Sequence, residues 1–240
     1  MPSLGNWLVF ILLPSFGVIA GGILGATRQL SKLAQSGVQH FAGGVVFAAI
    51  ATEIIPDVLH ADTPIAALVG FCAGVVAMFG MRTLAEQLER RDRVNAIYPL
   101  GFIAAVSIDC IIDGVVIGTG FAVGMRQGLL IAASLALEMF FLGLAIANTM
   151  RSSGVARWPT IAVCAGLAAV LAVSAVVGLA ALAGAPAFVK TTLLAFGSAA
   201  LLYLVTEELL VRAHDLGETR MVTALFFLGF VAVFATELFS

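Results

Sequence analysis

Eight long apolar stretches, separated by short polar connections, constrain this chain more than any other feature. They cover approximately residues 7–26, 38–59, 64–82, 98–122, 128–150, 159–183, 188–211 and 221–239. At about 1.5 Å per residue, each is long enough to cross roughly 30 Å of hydrocarbon as a helix. Because lipid offers the backbone no hydrogen-bond partners, such segments must satisfy their own peptide groups, as helices do. The sequence therefore predicts an all-α integral membrane protein with eight transmembrane helices.

Composition agrees with this prediction. Charged residues make up 11% of the chain and apolar residues 61%, whereas a soluble domain carries about 25% charged residues. Since the connections are short, we expect a single transmembrane domain over residues 1–240. The longest polar stretch, Arg82 to Arg93, is interpreted as an amphipathic or irregular loop without a catalytic role. The first stretch has no basic leader and no clear cleavage site, so we expect a retained helix.

The basic residues predict the orientation of the chain. With the N-terminus outside, the outer loops hold only Arg126 and Lys190. The inner loops then hold ten basic residues: Arg28, Lys32, Arg82, Arg90, Arg91, Arg93, Arg151, Arg157, Arg212 and Arg220. Basic residues concentrate on the cytoplasmic side of membrane proteins. Both termini are therefore expected on the non-cytoplasmic face.

Three acidic residues fall near the middle of apolar stretches. Asp109 and Asp113 lie one helical turn apart in the fourth stretch, and Glu138 lies at comparable depth in the fifth. An ionised carboxylate at the bilayer centre costs about 2.5–3.5 kcal/mol, so a bound cation or protons must offset the cost of three. The i, i+4 spacing puts both aspartates on one helix face. We expect Gly114 and Gly143 to let these two helices approach closely and bring Glu138 opposite the pair.

Other interpretations of these residues stay open. The aspartates could be protonated, or paired with Ser or Thr hydroxyls in a structural polar network. Cys110 and Met139 lie beside the acids as possible soft donors, but packing roles are also consistent with their positions. The three cysteines (Cys72, Cys110 and Cys164) have spacings that fit neither a zinc knuckle nor a disulfide framework.

The chain also resembles itself. Stretches two and seven share a Thr-Glu pair followed by a histidine at the same spacing: Thr52-Glu53 with His60, and Thr206-Glu207 with His214. The run Asp109 to Gly118 likewise matches Glu138 to Ala147. Each matched pair would cross the membrane in opposite directions. This pattern predicts an inverted-repeat (3+2+3) architecture, which is typical of secondary transporters.

Over almost its whole length the chain resembles the ZIP (Zrt/Irt-like protein) family of divalent metal transporters. Asp109-Cys-Ile-Ile-Asp113-Gly-Val-Val-Ile-Gly118 matches the family's fourth-helix motif His-Asn-x-Pro-Glu-Gly-x-Ala-x-Gly without gaps. Ala136-Leu-Glu138-Met-Phe-Phe-Leu142-Gly-Leu-Ala-Ile-Ala147 is similar to the fifth-helix motif of bacterial members. Phe41 to Asp57 and Leu202 to Arg212 resemble the second and seventh helices. The resemblance implies eight helices with both ends outside, a metal site between helices four and five, and a homodimer.

The chain departs from the family pattern at the metal ligands. Asp109 stands where the family has histidine, and Leu142 where it has a bridging glutamate. The acid often offered by helix six falls on Ala169, and the helix prolines fall on Ile112 and Phe141. The resemblance thus implies that one of two metal positions is lost. The other survives as Asp109, Asp113 and Glu138, with Cys110 and Met139 as secondary candidates.

Acids and a histidine near helix ends are further candidate ligands: Glu53, Asp57, His60, Glu207 and Glu208. Ordinary helix-end roles explain them equally well. His40 and His214 are interpreted as residues of the inner membrane interface.

Together these features predict a multi-pass secondary transporter of a bacterial inner membrane. Carboxylate oxygens favour harder cations than imidazole does, and the candidate cargoes are Mn²⁺, Fe²⁺, Zn²⁺ and Cd²⁺. The cation would cross between a scaffold of helices two and seven and the helices that carry the carboxylates. The alternative is a degenerate relative that binds a cation without transporting it, as a sensor or partner subunit. Because no nucleophile or cofactor motif is present, we expect no enzymatic activity and no organic cofactor. We also expect no nucleic acid partner.

Overall fold

The computed structural model describes residues 9–28, 31–92, 100–182, 184–215 and 219–238, and over these residues the chain is helical without strands. The elements are α1 (Leu13–Thr27), α2 (Lys32–Ala49), the π-helix π1 (Ile50–Ile54), α3 (Ile55–Leu59), α4 (Pro64–Asp92), α5 (Leu100–Val123), α6 (Met125–Ser152), α7 (Arg157–Leu182), α8 (Ala187–Tyr203), the π-helix π2 (Leu204–Leu209), α9 (Leu210–Asp215) and α10 (Arg220–Leu238). The all-α prediction is confirmed.

Seven helices within the described residues are long and apolar enough to cross a membrane. They are Val9–Thr27, Lys32–Leu59, Pro64–Leu84, Leu100–Val123, Met125–Ser152, Arg157–Leu182 and Ala187–Asp215. The eighth predicted segment corresponds to α10, whose apolar part Arg220–Ala235 is shorter. These helices support a multi-pass membrane protein. The positions of the termini and the opposite direction of the repeats stay predictions.

The polar stretch that follows the third apolar segment is helical. α4 continues to Asp92, so the irregular-loop alternative is wrong for Arg82–Asp92; Arg93 lies outside the described residues. The stretch is rich in Leu, Glu, Gln and Arg, which have high helix propensity. Arg82 Nε lies 3.4 Å from Glu86 Oε1, an i, i+4 ion pair on an exposed face.

The chain divides into two compact units. The first comprises Met1–Gln29 and Ala77–Gly184, and the second comprises Leu30–Val76 and Ala185–Ser240. The single domain expected over residues 1–240 stays a prediction. Each unit has its own close helix packing.

In the first unit, glycines of α1 allow close contact with α6. A Cβ atom on Gly21 would lie 1.9 Å from the carbonyl oxygen of Phe140, and one on Gly17 would lie 2.4 Å from that of Ala136. Small residues at four-residue spacing let helix backbones approach in this way. The buried Ser15 hydroxyl adds a hydrogen bond to the Ala168 carbonyl of α7, at 3.1 Å.

The second unit uses the same device between α2 and α10. A Cβ atom on Gly44 would lie 1.9 Å from the Phe226 carbonyl oxygen. Conversely, a Cβ atom on Gly229 of α10 would lie 2.2 Å from the Phe41 carbonyl oxygen of α2. The part of α4 in this unit approaches α8 in the same way at Gly70. Since lipid is as apolar as the side chains, such close packing is a main source of helix association in a bilayer.

Candidate metal centre

The three predicted carboxylates lie together in the first unit. Asp109 and Asp113 are on α5 and Glu138 is on α6, and one carboxylate oxygen from each lies within 4.8 Å of the other two. Asp113 is 6% exposed, Glu138 is 5% exposed, and Asp109 is half-buried. Among the described residues, one group of three or more acidic, histidine or cysteine side chains lies close enough together to share a metal ion, and it is this one. The structure therefore brings together the central site residues expected from the sequence.

Regular α-helical geometry sets the spacing of the aspartates. α5 and α6 are uninterrupted α-helices, so residues four apart project from one face. The short connection at Gly124 places the helices as neighbours. Their close approach occurs near that connection, where a Cβ atom on Gly120 would lie 3.2 Å from the Cα atom of Gly128.

The expected role of Gly114 and Gly143 is wrong. A Cβ atom on Gly114 would lie 2.6 Å from the Leu171 carbonyl oxygen of α7, and one on Gly143 would lie 2.2 Å from the Val18 carbonyl oxygen of α1. These glycines therefore bring α7 against α5 and α1 against α6, rather than α5 against α6. The physical reason is that a glycine marks a face that can be closely packed without specifying its neighbour.

Three hydroxyl groups of α5 and α7 donate within their own helices rather than to the carboxylates. Ser107 and Thr119 of α5 and Ser174 of α7 each donate to the carbonyl oxygen four residues earlier in their own helix, at 2.7–2.8 Å. A hydroxyl has one proton to donate. A structural polar network around the three acids would thus require donors other than these three side chains.

The secondary candidates Cys110 and Met139 are both fully buried. Cys110 lies within electrostatic range of all three carboxylates. Its sulfur is nevertheless not part of the three-carboxylate cluster found among the described residues. Leu142 is also buried one turn after Glu138, while Ala169 is exposed. The cluster is thus formed by oxygen ligands within an apolar helix environment.

The remaining candidate ligands lie in the second unit and do not join a cluster of this kind among the described residues. Glu53 is buried in π1, Asp57 is half-buried in α3, and His60 is exposed. Glu207 is exposed and Glu208 half-buried, both in π2. Their roles as metal ligands stay predictions.

Sequence reasoning missed the two π-helices. Both occur at the repeated Thr-Glu pair, and the Thr52 and Thr206 hydroxyls each donate to the carbonyl oxygen four residues earlier, at 2.9 and 3.0 Å. Such back-bonding competes with regular helix hydrogen bonds and often bends helices. Pro56 follows π1, but Leu210 stands at the equivalent place after π2, so proline is not the shared cause. The threonine is common to both π-helices, but Thr119 makes the same bond in regular α5, so that bond alone does not specify a π turn.

The local repeat extends to the histidines. The Nδ1 atoms of His60 and His214 each contact the carbonyl oxygen four residues earlier, those of Pro56 and Leu210. The structure thus shows the same local geometry twice. π-helical turns are frequent at functional sites. Glu53 and Glu207, which lie in these turns, are therefore useful targets for mutagenesis.

No family model matches the chain, and no curated protein matches it significantly, so its likeness to the ZIP family rests on the motifs quoted above.

Proposed function

We propose that this protein is a secondary transporter of divalent metal cations and that Asp109, Asp113 and Glu138 bind the cation during passage. The supporting observation is the convergence of three carboxylates in the middle of two apolar helices. Acidic residues inside membrane segments are costly, and they commonly mark ion pathways.

Electrostatics explains why the cluster requires positive charge. At separations of up to 4.8 Å, each ionised pair repels by roughly 3 kcal/mol or more, for an effective dielectric constant of about 20. Three ionised groups also carry the cost of removal from water. A divalent cation offsets both costs, and protons do so when the cation leaves. The cluster is therefore suited to reversible cation binding.

The ligand atoms indicate the type of cargo. Carboxylate oxygens suit Mn²⁺ and related hard cations, whereas imidazole and thiolate favour zinc and copper. Because Asp109 occupies the position where the ZIP motif has histidine, we propose that Mn²⁺ and Fe²⁺ are carried at least as well as Zn²⁺ or Cd²⁺. The sequence has no Gly-x-x-x-x-Gly-Lys-Ser/Thr loop, so flux would follow an ion gradient.

Flux measurements on the purified protein in proteoliposomes test this proposal. We define the carboxylate-neutralised variant as Asp109→Asn, Asp113→Asn and Glu138→Gln. It should reduce Mn²⁺ uptake to the level of protein-free vesicles, because no anionic ligand remains in the cluster. Glu86→Gln, which neutralises an exposed acid in α4 beyond the membrane-crossing segment Pro64–Leu84, is the matched control and should retain most of the flux.

Three outcomes are informative. If the carboxylate-neutralised variant transported Mn²⁺ as fast as the wild type, the cation pathway would lie elsewhere in the protein. Strict preference of the wild type for Zn²⁺ would contradict the proposed selectivity. Binding of Mn²⁺ by the wild type without any flux would favour the non-transporting sensor or partner subunit, an alternative consistent with Leu142 in place of a bridging acid.

A further inference from the structure

Two histidine side chains lie close together in the second unit. His40 of α2 and His214 of α9 have ring centroids 5.3 Å apart, with planes inclined by 54°. The position of α9 is fixed beside them, because the buried Ser36 hydroxyl donates to the carbonyl oxygen of Ala213 at 2.7 Å. A buried hydrogen bond between α2 and α9 therefore holds the two imidazoles near each other.

Hydrogen bonds determine which ring nitrogen carries the proton. His40 Nδ1 lies 2.9 Å from the Ser36 carbonyl oxygen, and His214 Nδ1 contacts the Leu210 carbonyl oxygen. A carbonyl oxygen only accepts, so each Nδ1 must be the donor. In the neutral rings each Nε2 then has a lone pair. Histidines that bind metals typically donate their other ring proton to a carbonyl or carboxylate in this manner.

Burial makes the lone pair of His40 significant. His40 is 1% exposed, and its Nε2 has no hydrogen-bond partner among the described residues. Buried polar atoms are nearly always satisfied, and exceptions require an explanation such as a bound ion or water. His214 is exposed, so a cation can reach the pair from its side.

The separation of the rings matches two imidazoles on one metal. With metal–nitrogen distances of about 2.0–2.1 Å and tetrahedral angles, the ring centres of two histidine ligands lie about 5 Å apart. We propose that His40 and His214 bind one transition-metal cation, such as Zn²⁺ or Cu²⁺, through their Nε2 atoms, with water completing the coordination. Imidazole ligands suit these cations. This nitrogen site belongs to the second unit, whereas the carboxylate cluster belongs to the first, and it goes beyond the proposed transport function.

Copper binding in the carboxylate-neutralised variant tests the site without contribution from the first unit. Electron paramagnetic resonance of purified protein titrated with Cu²⁺ should show one bound ion with two imidazole nitrogens. His214→Gln should weaken this binding by about tenfold or more, since loss of even an outer partner costs 10- to 100-fold. A large excess of Zn²⁺ should reduce the Cu²⁺ signal in the parent variant, because Zn²⁺ competes for imidazole ligands but binds them less tightly than Cu²⁺.

His60→Gln is the matched control, because His60 has the same Nδ1 contact with a carbonyl oxygen four residues earlier but is exposed at a different helix end. It should leave the copper signal unchanged. His214 is exposed, so its substitution tests the site even if His40→Gln fails to fold. A parent variant without nitrogen-ligated copper, or an equal loss in His60→Gln, would overturn the proposal.

Discussion

The two units place acidic residues in different backbone geometries. In the first unit Asp109, Asp113 and Glu138 project from uninterrupted α-helices. In the second, Glu53 and Glu207 lie in π-helical turns. Regular spacing puts Asp109 and Asp113 on one face of α5, whereas a π turn inserts a residue and changes the direction of the side chains that follow.

Both units nevertheless use the same close packing. The Cβ atom added at Gly21 or at Gly44 would lie 1.9 Å from a carbonyl oxygen of a neighbouring helix. The difference between the units thus lies in how acids are presented, rather than in how helices associate. We therefore expect substitutions in the first unit to change both Mn²⁺ binding and stability, and comparable substitutions in the second unit to change stability alone.

The largest expected difference concerns stability without metal. The carboxylate-neutralised variant should be more stable than the wild type by several kcal/mol, on the order of 5, because costly buried charges are removed. Glu207→Gln should change stability by less than about 0.5 kcal/mol, since this acid is exposed. Thermal unfolding in detergent with a chelator measures both. A less stable neutralised variant would show that the acids belong to a structural hydrogen-bond network.

Equal steric changes in each unit should have unequal effects on cation binding. Gly21→Ala and Gly44→Ala each force neighbouring backbone to move and should destabilise the protein by about 1–3 kcal/mol. Gly21→Ala should also weaken Mn²⁺ binding, because the displaced Phe140 carbonyl follows Glu138 by two residues on α6. Gly44→Ala should leave Mn²⁺ binding intact, as calorimetric titration of the folded fraction would show.

Gly166→Ala is the control for both substitutions, because a Cβ atom there meets nothing within 4 Å. Alanine is favoured over glycine in a helix by about 0.5–1 kcal/mol, so this variant should be unchanged or slightly more stable. If Gly44→Ala weakened Mn²⁺ binding as much as Gly21→Ala, the separation between the units would fail.

The smallest expected effect concerns the threonines of the π-helices. Thr206→Val keeps the side-chain shape but removes the hydrogen bond to the Leu202 carbonyl. Stability should change by less than about 1 kcal/mol, with altered amide hydrogen exchange confined to Leu204–Leu209. Thr192→Val removes an equivalent bond at 2.8 Å within regular α8 and should not alter exchange there. Equal changes in both helices would show that the threonine bond does not maintain the π turn.

Sequence patterns predicted the helices and the carboxylate cluster well, for physical reasons. Apolar length determines whether a segment can span a bilayer, and the i, i+4 spacing of Asp109 and Asp113 determines a shared face. The partners of Gly114 and Gly143 could not be deduced, because a small residue permits close contact with any neighbouring helix. The correct neighbours, α7 and α1, depend on packing among four helices.

Local hydrogen bonding was equally hard to deduce from sequence. Thr52 and Thr206 stand in apolar segments that are compatible with a regular α-helix. Their bonds to earlier carbonyl groups also occur in regular α5 and α8, so the threonines alone do not predict π geometry. The nearness of His40 to His214 depends on contacts between distant segments, such as Ser36 with Ala213. Their spacing along the chain contains no such information.

Cys110 is buried on α5 next to Asp109, so its chemical reactivity can report motion of the helices around the carboxylates. Its thiol is fully buried, so an alkylating reagent can reach the sulfur only while the surrounding helices are apart. Cys72 lies within the membrane-crossing segment Pro64–Leu84 and Cys164 is buried, so replacing both with serine leaves Cys110 as the thiol observed. Its alkylation rate then measures how often the cluster opens, and dependence of that rate on Mn²⁺ would report whether the cation holds it closed.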